Sequence, residues 1–489
     1  MHDLRRQALE SGKTTSRKAA SRQSSGRVSR TASQPTSSPG SRNHSRAPSD
    51  DEEGGIFSDD TATSINSIDE FLASDDFNEA TPDDLKDQLS ERIDELIARK
   101  GSTNKGREEC LGTYIRILSS HLLADVLYGR ITEIIGAITK SIKSEISERE
   151  TVFALRALAV TAITMPNLDL YAQVSSLLKR TISDSQSTKA KSTAIYCLGD
   201  CLSYGGAGED EILDQMTFLL EVISSDGNFI DAADDVDTVV AALHVYAFLS
   251  SQVGDVEAES EDAIEALLEQ LDSSSPEVQV AAGECIALFY EKASRHQVQS
   301  DSDSDSEDDG DEASEEDDEE GNSNISDEPS EKSSQNTKKS PFRYQPYHNT
   351  HAVLSKVSYL STYSSKKVNR KSKKNLHQAF TAILHTVEDP RGGFRLNNRA
   401  HMTIRIYSEG EMSINKWWKM IRLSSLRRLL GGGFINHYYE GNKAVLDILP
   451  VLISRRTGGF GSGSDSGKKG KRYKDQSYSP RSLALLQEF

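Results

Sequence analysis

Ser275-Pro276-Glu277-Val278-Gln279-Val280-Ala281-Ala282-Gly283-Glu284-Cys285-Ile286-Ala287-Leu288-Phe289 carries the pattern that decides the fold. A serine, a proline and a glutamate in that order supply an N-cap, a first helical residue with no N–H to lose, and a carboxylate at the positive end of the helix dipole. Val278, Ala281, Ala282, Cys285 and Phe289 then recur at helical spacing. The series has upstream counterparts: Leu111, Ile115, Leu118, Leu122; Val152, Leu155, Ala159, Ile163; Ala194, Cys197, Leu198, Cys201; and Val239, Leu243, Tyr246, Leu249. Registered on Leu111, Ala157, Ala194, Ala241 and Ala281, they stand 46, 37, 47 and 40 residues apart. Those intervals bracket the roughly 40 to 47 residues of armadillo and HEAT repeats. Small residues let inner helices stack closely, and no strand signal interrupts the run. The expectation is a mainly α protein with an armadillo/HEAT-like α-solenoid over residues 81–294, a generic helical bundle being the alternative. Thr81-Pro82-Asp83-Asp84 supplies the start signal of its first helix.

The flanks of this region are of another kind. Residues 1–80 hold Ser, Arg, Thr and Asp with few apolar groups, so they read as a disordered tail, Ser/Arg-rich and then acidic. Arg22-Gln23-Ser24-Ser25 and Arg30-Thr31-Ala32-Ser33 suit a basophilic kinase. The N-terminus lacks the apolar core of a secretory signal. No apolar run approaches the roughly 20 residues that span a bilayer. Cys110, Cys197, Cys201 and Cys285 all fall in apolar helical patterns, which predicts buried thiols in a reducing compartment. No His or further Cys stands beside Cys197 and Cys201 at ligand spacing, so neither a metal nor a cofactor is expected.

Charge divides the chain. Residues 1–331 carry 28 basic and 67 acidic side chains, and residues 332–489 carry 29 and 9, so the two parts have net charges of -39 and +20. Between Asp301 and Glu320 there are 14 acidic residues and no basic one, whereas Lys332 to Val387 holds 11 Lys or Arg and no Asp or Glu. Residues 295–363 thus read as a disordered linker, acidic and then basic, whose acidic run either shields the basic half, docks histones or ribosomal proteins, or is a spacer. The basic cluster Lys366, Lys367, Arg370, Lys371, Lys373 and Lys374 runs into a helix with Leu376, Phe380, Ile383, Leu384 and Val387 on one face. Cations at a helix N-terminus oppose its dipole, which marks the cluster as a candidate polyanion site.

Beyond it, Met402, Ile404 and Ile406 alternate with polar residues and predict a small β-hairpin. Ile414, Trp417, Trp418 and Ile421 mark an amphipathic helix with Lys416, Lys419, Arg422, Arg427 and Arg428 on its surface. Gly431-Gly432-Gly433 ends it, and a further helix is expected over Asn442 to Ile453. Trp417 and Trp418 either stack on bases or anchor a core. Residues 456–489 form a Gly-rich basic tail, in which Lys468, Lys469, Lys471, Arg472 and Lys474 read as a second nucleic-acid-binding or nuclear-localisation cluster. A phosphate-loop reading of that tail fails, because Ser462 stands where glycine is needed and Lys469 where Ser or Thr is. No paired-carboxylate, Ser/His/Asp or Cys/His arrangement points to catalysis. His385, His401 and His437 read as surface or packing residues.

Several of these stretches resemble the interferon-related developmental regulator family. They are Ser364-Ser365-Lys366-Lys367-Val368-Asn369-Arg370-Lys371, the helix with Phe380, Ile414-Asn415-Lys416-Trp417, Leu429-Leu430-Gly431-Gly432-Gly433-Phe434 with His437, and Glu440-Gly441-Asn442 leading to Asp447-Ile448. The resemblance implies an armadillo-type N-terminal domain and a C-terminal family domain over residues 364–455, mostly helical. Trp417, Gly431, Gly432, Gly433, His437 and Asn442 are its motif residues. It also implies a non-enzymatic regulator, associated with ribosomes that are not translating and with transcriptional co-regulation. The expected partners are a ribosome or other RNA–protein assembly on the basic half, proteins on the solenoid, and histones or chromatin factors on the acidic run, with no membrane and no small-molecule substrate. The expected location is cytoplasmic, nuclear or both. A transport adaptor is disfavoured because such solenoids are longer.

Overall fold

Thr103, Ser147, Ser187, Asp235 and Ser275 each accept, through a side-chain oxygen, the backbone N–H three residues on, and a helix begins after every one of them. The five caps lie 44, 40, 48 and 40 residues apart. They correct the sequence register: the residue seven past each cap is Cys110, Ala154, Ala194, Ala242 and Ala282, so Leu111, Ala241 and Ala281 stand one residue off and Ala157 three.

The structure, a computed structural model, describes residues 82–99, 101–166, 169–294, 342–362, 370–395, 402–406, 410–450 and 454–455. All of these belong to one compact unit, Gly55–Phe489. The tails 1–80 and 456–489 and the acidic run 301–320 lie outside the described residues.

The helices are α1 (Pro82–Ala98), α2 (Asn104–Ser120), the single turn α3 (Ala124–Leu127), α4 (Ile131–Ser144), α5 (Glu148–Thr164), α6 (Leu170–Asp184), α7 (Thr188–Tyr204), α8 (Glu209–Ser224), α9 (Val236–Ser250), α10 (Glu257–Gln270) and α11 (Pro276–Ala293). They pack as successive pairs, α1 with α2, α4 with α5, α6 with α7, α8 with α9 and α10 with α11. The second member of each pair also packs on the second member of the next, giving a continuous inner layer of α2, α5, α7, α9 and α11. Outer helices are apolar along one stripe, as in α4 with Ile134, Ile135, Ile138 and Ile142 buried. Inner helices are buried nearly all round, as in α9, where Val239, Leu243, Tyr246, Phe248 and Leu249 are all covered. This is the expected helical solenoid.

The stack continues past the acidic insertion. α12 (Thr350–Thr362) and α13 (Arg370–Glu388) form a sixth pair, with α13 packed on α11. Gly283 makes this close approach feasible, since a Cβ there would lie 2.6 Å from Ile383 Cδ1. The predicted apolar face of α13 is the one that is buried, through Leu376, Phe380, Ile383 and Val387. Ser294 and Phe342, on either side of the insertion, form a β-bridge, and Arg343 N donates to Ala293 O at 2.7 Å. The described residues on either side of 295–341 therefore meet at one point of the solenoid.

Strands β1 (Met402–Ile406) and β2 (Gly410–Ile414) pair antiparallel with Ile404 opposite Met412, and β3 (Ser454–Arg455) pairs with β2. The hairpin falls where the alternation predicted it. Three helices follow β2: α14 (Trp417–Leu430), α15 (Phe434–Tyr439) and α16 (Lys443–Ile448). The last is shorter than the predicted 442–453, because Leu449 precedes Pro450 and adopts φ -128°, ψ 72°, outside the helical region.

Candidate functional site

Trp417 to Ile448 form a return segment that runs back over the inner layer, from α11 towards α2. At its start Glu291 of α11 accepts the backbone N–H groups of Trp417 at 2.9 Å and Trp418 at 3.2 Å. Lys416, in the N-cap position of α14, makes no side-chain cap, so Glu291 does that work from another helix. Trp417 is fully buried, donates from Nε1 to Thr386 Oγ1 at 2.7 Å, and stands edge-on to Phe394. Of the two roles open to it, core anchor is the one the geometry gives.

One turn on, Arg422 reaches the end of α9, donating to Ser251 Oγ at 3.1 Å and to the Ser251 carbonyl. Arg428 reaches α7, where it pairs with Asp200 at 2.6 Å and lies 4.3 Å from the Tyr196 ring centroid. Asp200 is fully buried. Burial pushes its carboxyl above the usual range, a shift that Arg428 opposes. Sequence reading placed Arg422 and Arg428 on the surface of α14; the structure corrects this, since both turn to the inner layer and bond it. Their partner Asp200 had a signal of its own, a lone charge inside the apolar run Ala194 to Leu202.

The residues that carry the resemblance in this segment finish the docking. Gly431 takes φ +57° at the end of α14. Gly433 sits against α2 so closely that a Cβ would lie 2.0 Å from the Ser119 carbonyl oxygen. His437, fully buried, meets the Leu118 carbonyl through Nε2 at 2.9 Å and Asn442 Nδ2 through Nδ1 at 2.9 Å. Nε2 therefore donates and Nδ1 accepts, a neutral ring that burial favours by lowering the imidazole pKa. Asn442 also donates to the Ile163 carbonyl at 3.1 Å and caps α16 through Ala444 N. Leu118, Ile163 and Ser251 carbonyls belong to the ends of α2, α5 and α9, where a helix has no N–H donors of its own left to meet its carbonyls. Of the motif residues, His437 and Asn442 thus satisfy inner-helix ends, and Gly433 lets the segment lie against one of them.

The predicted nucleic-acid-binding residues lie elsewhere, at the start of α13. Lys374 is exposed and Lys373 partly buried. Lys373 lines an open groove of about 330 Å³ with Lys356, Tyr359, Leu376, Gln279 and Asp272, and Tyr359 is 59 % exposed. Lys356 in that groove is already paired with Asp272 at 2.7 Å. Arg370 and Lys371 belong to α13 by backbone, but their side chains, like Lys366 and Lys367, lie outside the described residues. So do Lys468, Lys469, Lys471, Arg472 and Lys474.

All four cysteines are buried and unbridged, and burial pushes the Cys110 thiol up to about 12. Among the described residues there is no His/Cys/Asp/Glu group able to hold a metal ion, and no helix is long and apolar enough to cross a membrane.

The family model for the interferon-related developmental regulators matches residues 56–388, which is most of the chain. The chain belongs to that family. An uncharacterized protein of the fission yeast Schizosaccharomyces pombe is 25 % identical over 357 residues, covering 72 % of each chain. The family match extends through α13 and stops short of α14. As a member of this regulator family, the protein has a regulatory role.

Proposed function

We propose that this interferon-related developmental regulator is a non-enzymatic scaffold of gene expression that binds ribosomes or ribosomal RNA through its basic C-terminal half and represses translation. The observation that carries the reading is the return segment itself. The inner face of a helical solenoid is an extended concave surface suited to partners. Here much of it is occupied by Trp417 to Ile448. Among the described residues, one accessible feature is the edge at the start of α13, with Lys373, Lys374 and exposed Tyr359, within a stretch of 56 residues free of carboxylates. Such an edge matches dense RNA phosphate, and its affinity falls steeply with salt. No comparable observation favours the alternative, a nuclear co-regulator that takes chromatin factors on the repeats and acidic run.

Sucrose-gradient sedimentation of extract tests the reading. The full chain is expected in ribosomal fractions at low salt, and the Lys373→Glu/Lys374→Glu variant is expected to shift towards the top of the gradient. Absence of the unmodified chain from ribosomal fractions at low salt would overturn it.

A further inference from the structure

Beside the inner layer lies a second cationic feature that neither the family motif nor the basic edge accounts for. Lys292, Arg422, Ser251 and Trp418 line an open pocket of about 200 Å³. Lys292 Nζ donates to the Ser250 carbonyl at 2.9 Å and to the Val253 carbonyl. Arg422 donates from Nε to Ser251 Oγ, from Nη1 to the Ile448 carbonyl at 3.0 Å and from Nη2 to the Ser251 carbonyl. These bonds satisfy the end of α9, but an ammonium has three N–H donors and a guanidinium five. One donor of Lys292 and two of Arg422 remain.

Neither cation has a carboxylate within salt-bridge distance among the described residues. The nearby Glu291 is committed to Trp417 and Trp418 N–H, and Asp255 pairs with Arg343 at 3.1 Å. Burial, with the neighbouring Arg422 adding to it, lowers the Lys292 ammonium to about 8, and burial lowers Arg422 to about 10. Asp255, Glu291 and Glu209 act on the Lys292 charge without bonding it, so two partly desolvated like charges share a pocket with no carboxylate in contact, an arrangement that an oxyanion relieves. The remaining wall is aromatic: the partly buried Trp418 ring has the Arg422 guanidinium carbon 4.8 Å from its centroid and Lys419 Nζ at 5.6 Å.

We propose that this pocket binds one nucleotide unit, its phosphate held by the remaining N–H donors of Lys292 and Arg422 and its base lying against Trp418. An anion alone explains the cations, whereas a nucleotide explains the cations and the adjoining indole together. The inference deepens the RNA-binding reading and rests on it for the source of the nucleotide. It assigns Trp418 a role distinct from that of Trp417, which is sealed in the core.

The test uses the full chain and a fluorescently labelled single-stranded RNA hexamer, with inorganic phosphate and uridine 5′-monophosphate as competitors. Trp418→Phe retains an apolar ring and Lys292→Met retains the buried stem, and thermal melts identify any variant that has lost the fold. Each is expected to weaken hexamer binding about tenfold, the scale of one base stacked on an aromatic ring. Uridine monophosphate is expected to compete at lower concentration than inorganic phosphate, and to quench tryptophan emission in the unmodified chain and not in Trp418→Phe. Unchanged hexamer affinity in both folded variants overturns the proposal, even where the chain still sediments with ribosomes. Equal competition by phosphate and nucleotide overturns the base contact. Quenching by nucleotide in a chain absent from ribosomal fractions leaves the pocket standing and defeats the ribosome reading.

Discussion

Glu291 and Trp417 lie 126 residues apart, and the carboxylate of one caps the helix that the other begins, Oε2 accepting the Trp417 N–H at 2.9 Å. The second oxygen takes Trp418 N–H, so a single buried side chain couples the fifth repeat to the return segment. Glu291→Gln keeps the shape but replaces one acceptor with a donor facing an N–H and removes the charge at the dipole end. A loss of about 1–3 kcal/mol is expected. Thermal melting checks the size, and hydrogen exchange checks the place: protection should fall first in residues 417–430.

Arg428 and Asp200 offer a sharper case, because the Asp200 Oδ2 atom has no hydrogen-bond partner, so the carboxylate depends on Arg428. Arg428→Met strands a carboxylate inside the solenoid, at a cost of about 3–5 kcal/mol. Asp200→Asn strands the guanidinium instead. The double variant removes both charges and should cost less than the sum of the singles by about 2 kcal/mol, which a denaturant double-mutant cycle measures. Additive losses would mean that the pair is not coupled.

These two contacts also mark where sequence reading stops. The repeats are legible because each inner helix carries its own cap and its own apolar series, so Ser275 to Phe289 declares itself within fifteen residues. The hairpin and the face of α13 are equally local. The course of the return segment is not, since it is set by pairs such as Glu291 with Trp417 and Asp200 with Arg428, whose members stand on separate apolar patterns. Arg422 and Arg428 look like surface charges on an amphipathic helix because periodicity cannot tell water from a buried carbonyl. The motif glycines and His437 were visible as a pattern, and only the inner-helix ends they meet explain them.

Gly433 and Gly432 provide a test with its own control. A Cβ on Gly433 would sit 2.0 Å from Ser119 O and 2.8 Å from Ser120 Cα, both backbone atoms, whereas a Cβ on Gly432 meets nothing within 4 Å. Gly433→Ala is expected to cost about 2 kcal/mol or more and to loosen residues 431–448 in hydrogen exchange. Gly432→Ala should melt with the unmodified protein. Equal melting of the two variants would show that the return segment does not press on α2.

Glu284 predicts a pH dependence. It is partly buried on α11, and desolvation raises its carboxyl to about 8. Between the ordinary value of 4.5 and 8 the folded state holds the proton more tightly than the unfolded chain. Stability from this group is therefore present below that window and is lost as pH rises through it. Glu284→Gln removes the penalty. Discounted for its contact with solvent, the gain at pH 9 is about 1–2 kcal/mol, with none at pH 4. Melting temperatures of the two proteins across that range should converge on acidification; a constant offset would place the effect in packing instead.

The acidic insertion yields the last prediction, because its two ends meet. Ser294 bridges Phe342 and Arg343 N reaches Ala293 O, so the fold requires a closed connection and nothing of its length. Loop-closure entropy changes by only about 0.6 kcal/mol for each doubling of length. Deleting residues 301–320 should therefore leave the melting temperature within about 2 °C of the full chain, at the scale of that entropy. The same deletion removes 14 carboxylates and no base from a chain whose residues 332–489 carry net +20. If those carboxylates compete with phosphate for the basic half, the variant binds RNA more tightly and its affinity falls more steeply with salt. Anisotropy titrations at two salt concentrations read both quantities. Retained stability with unchanged affinity and slope would reduce the acidic run to a spacer between the fifth and sixth helical pairs.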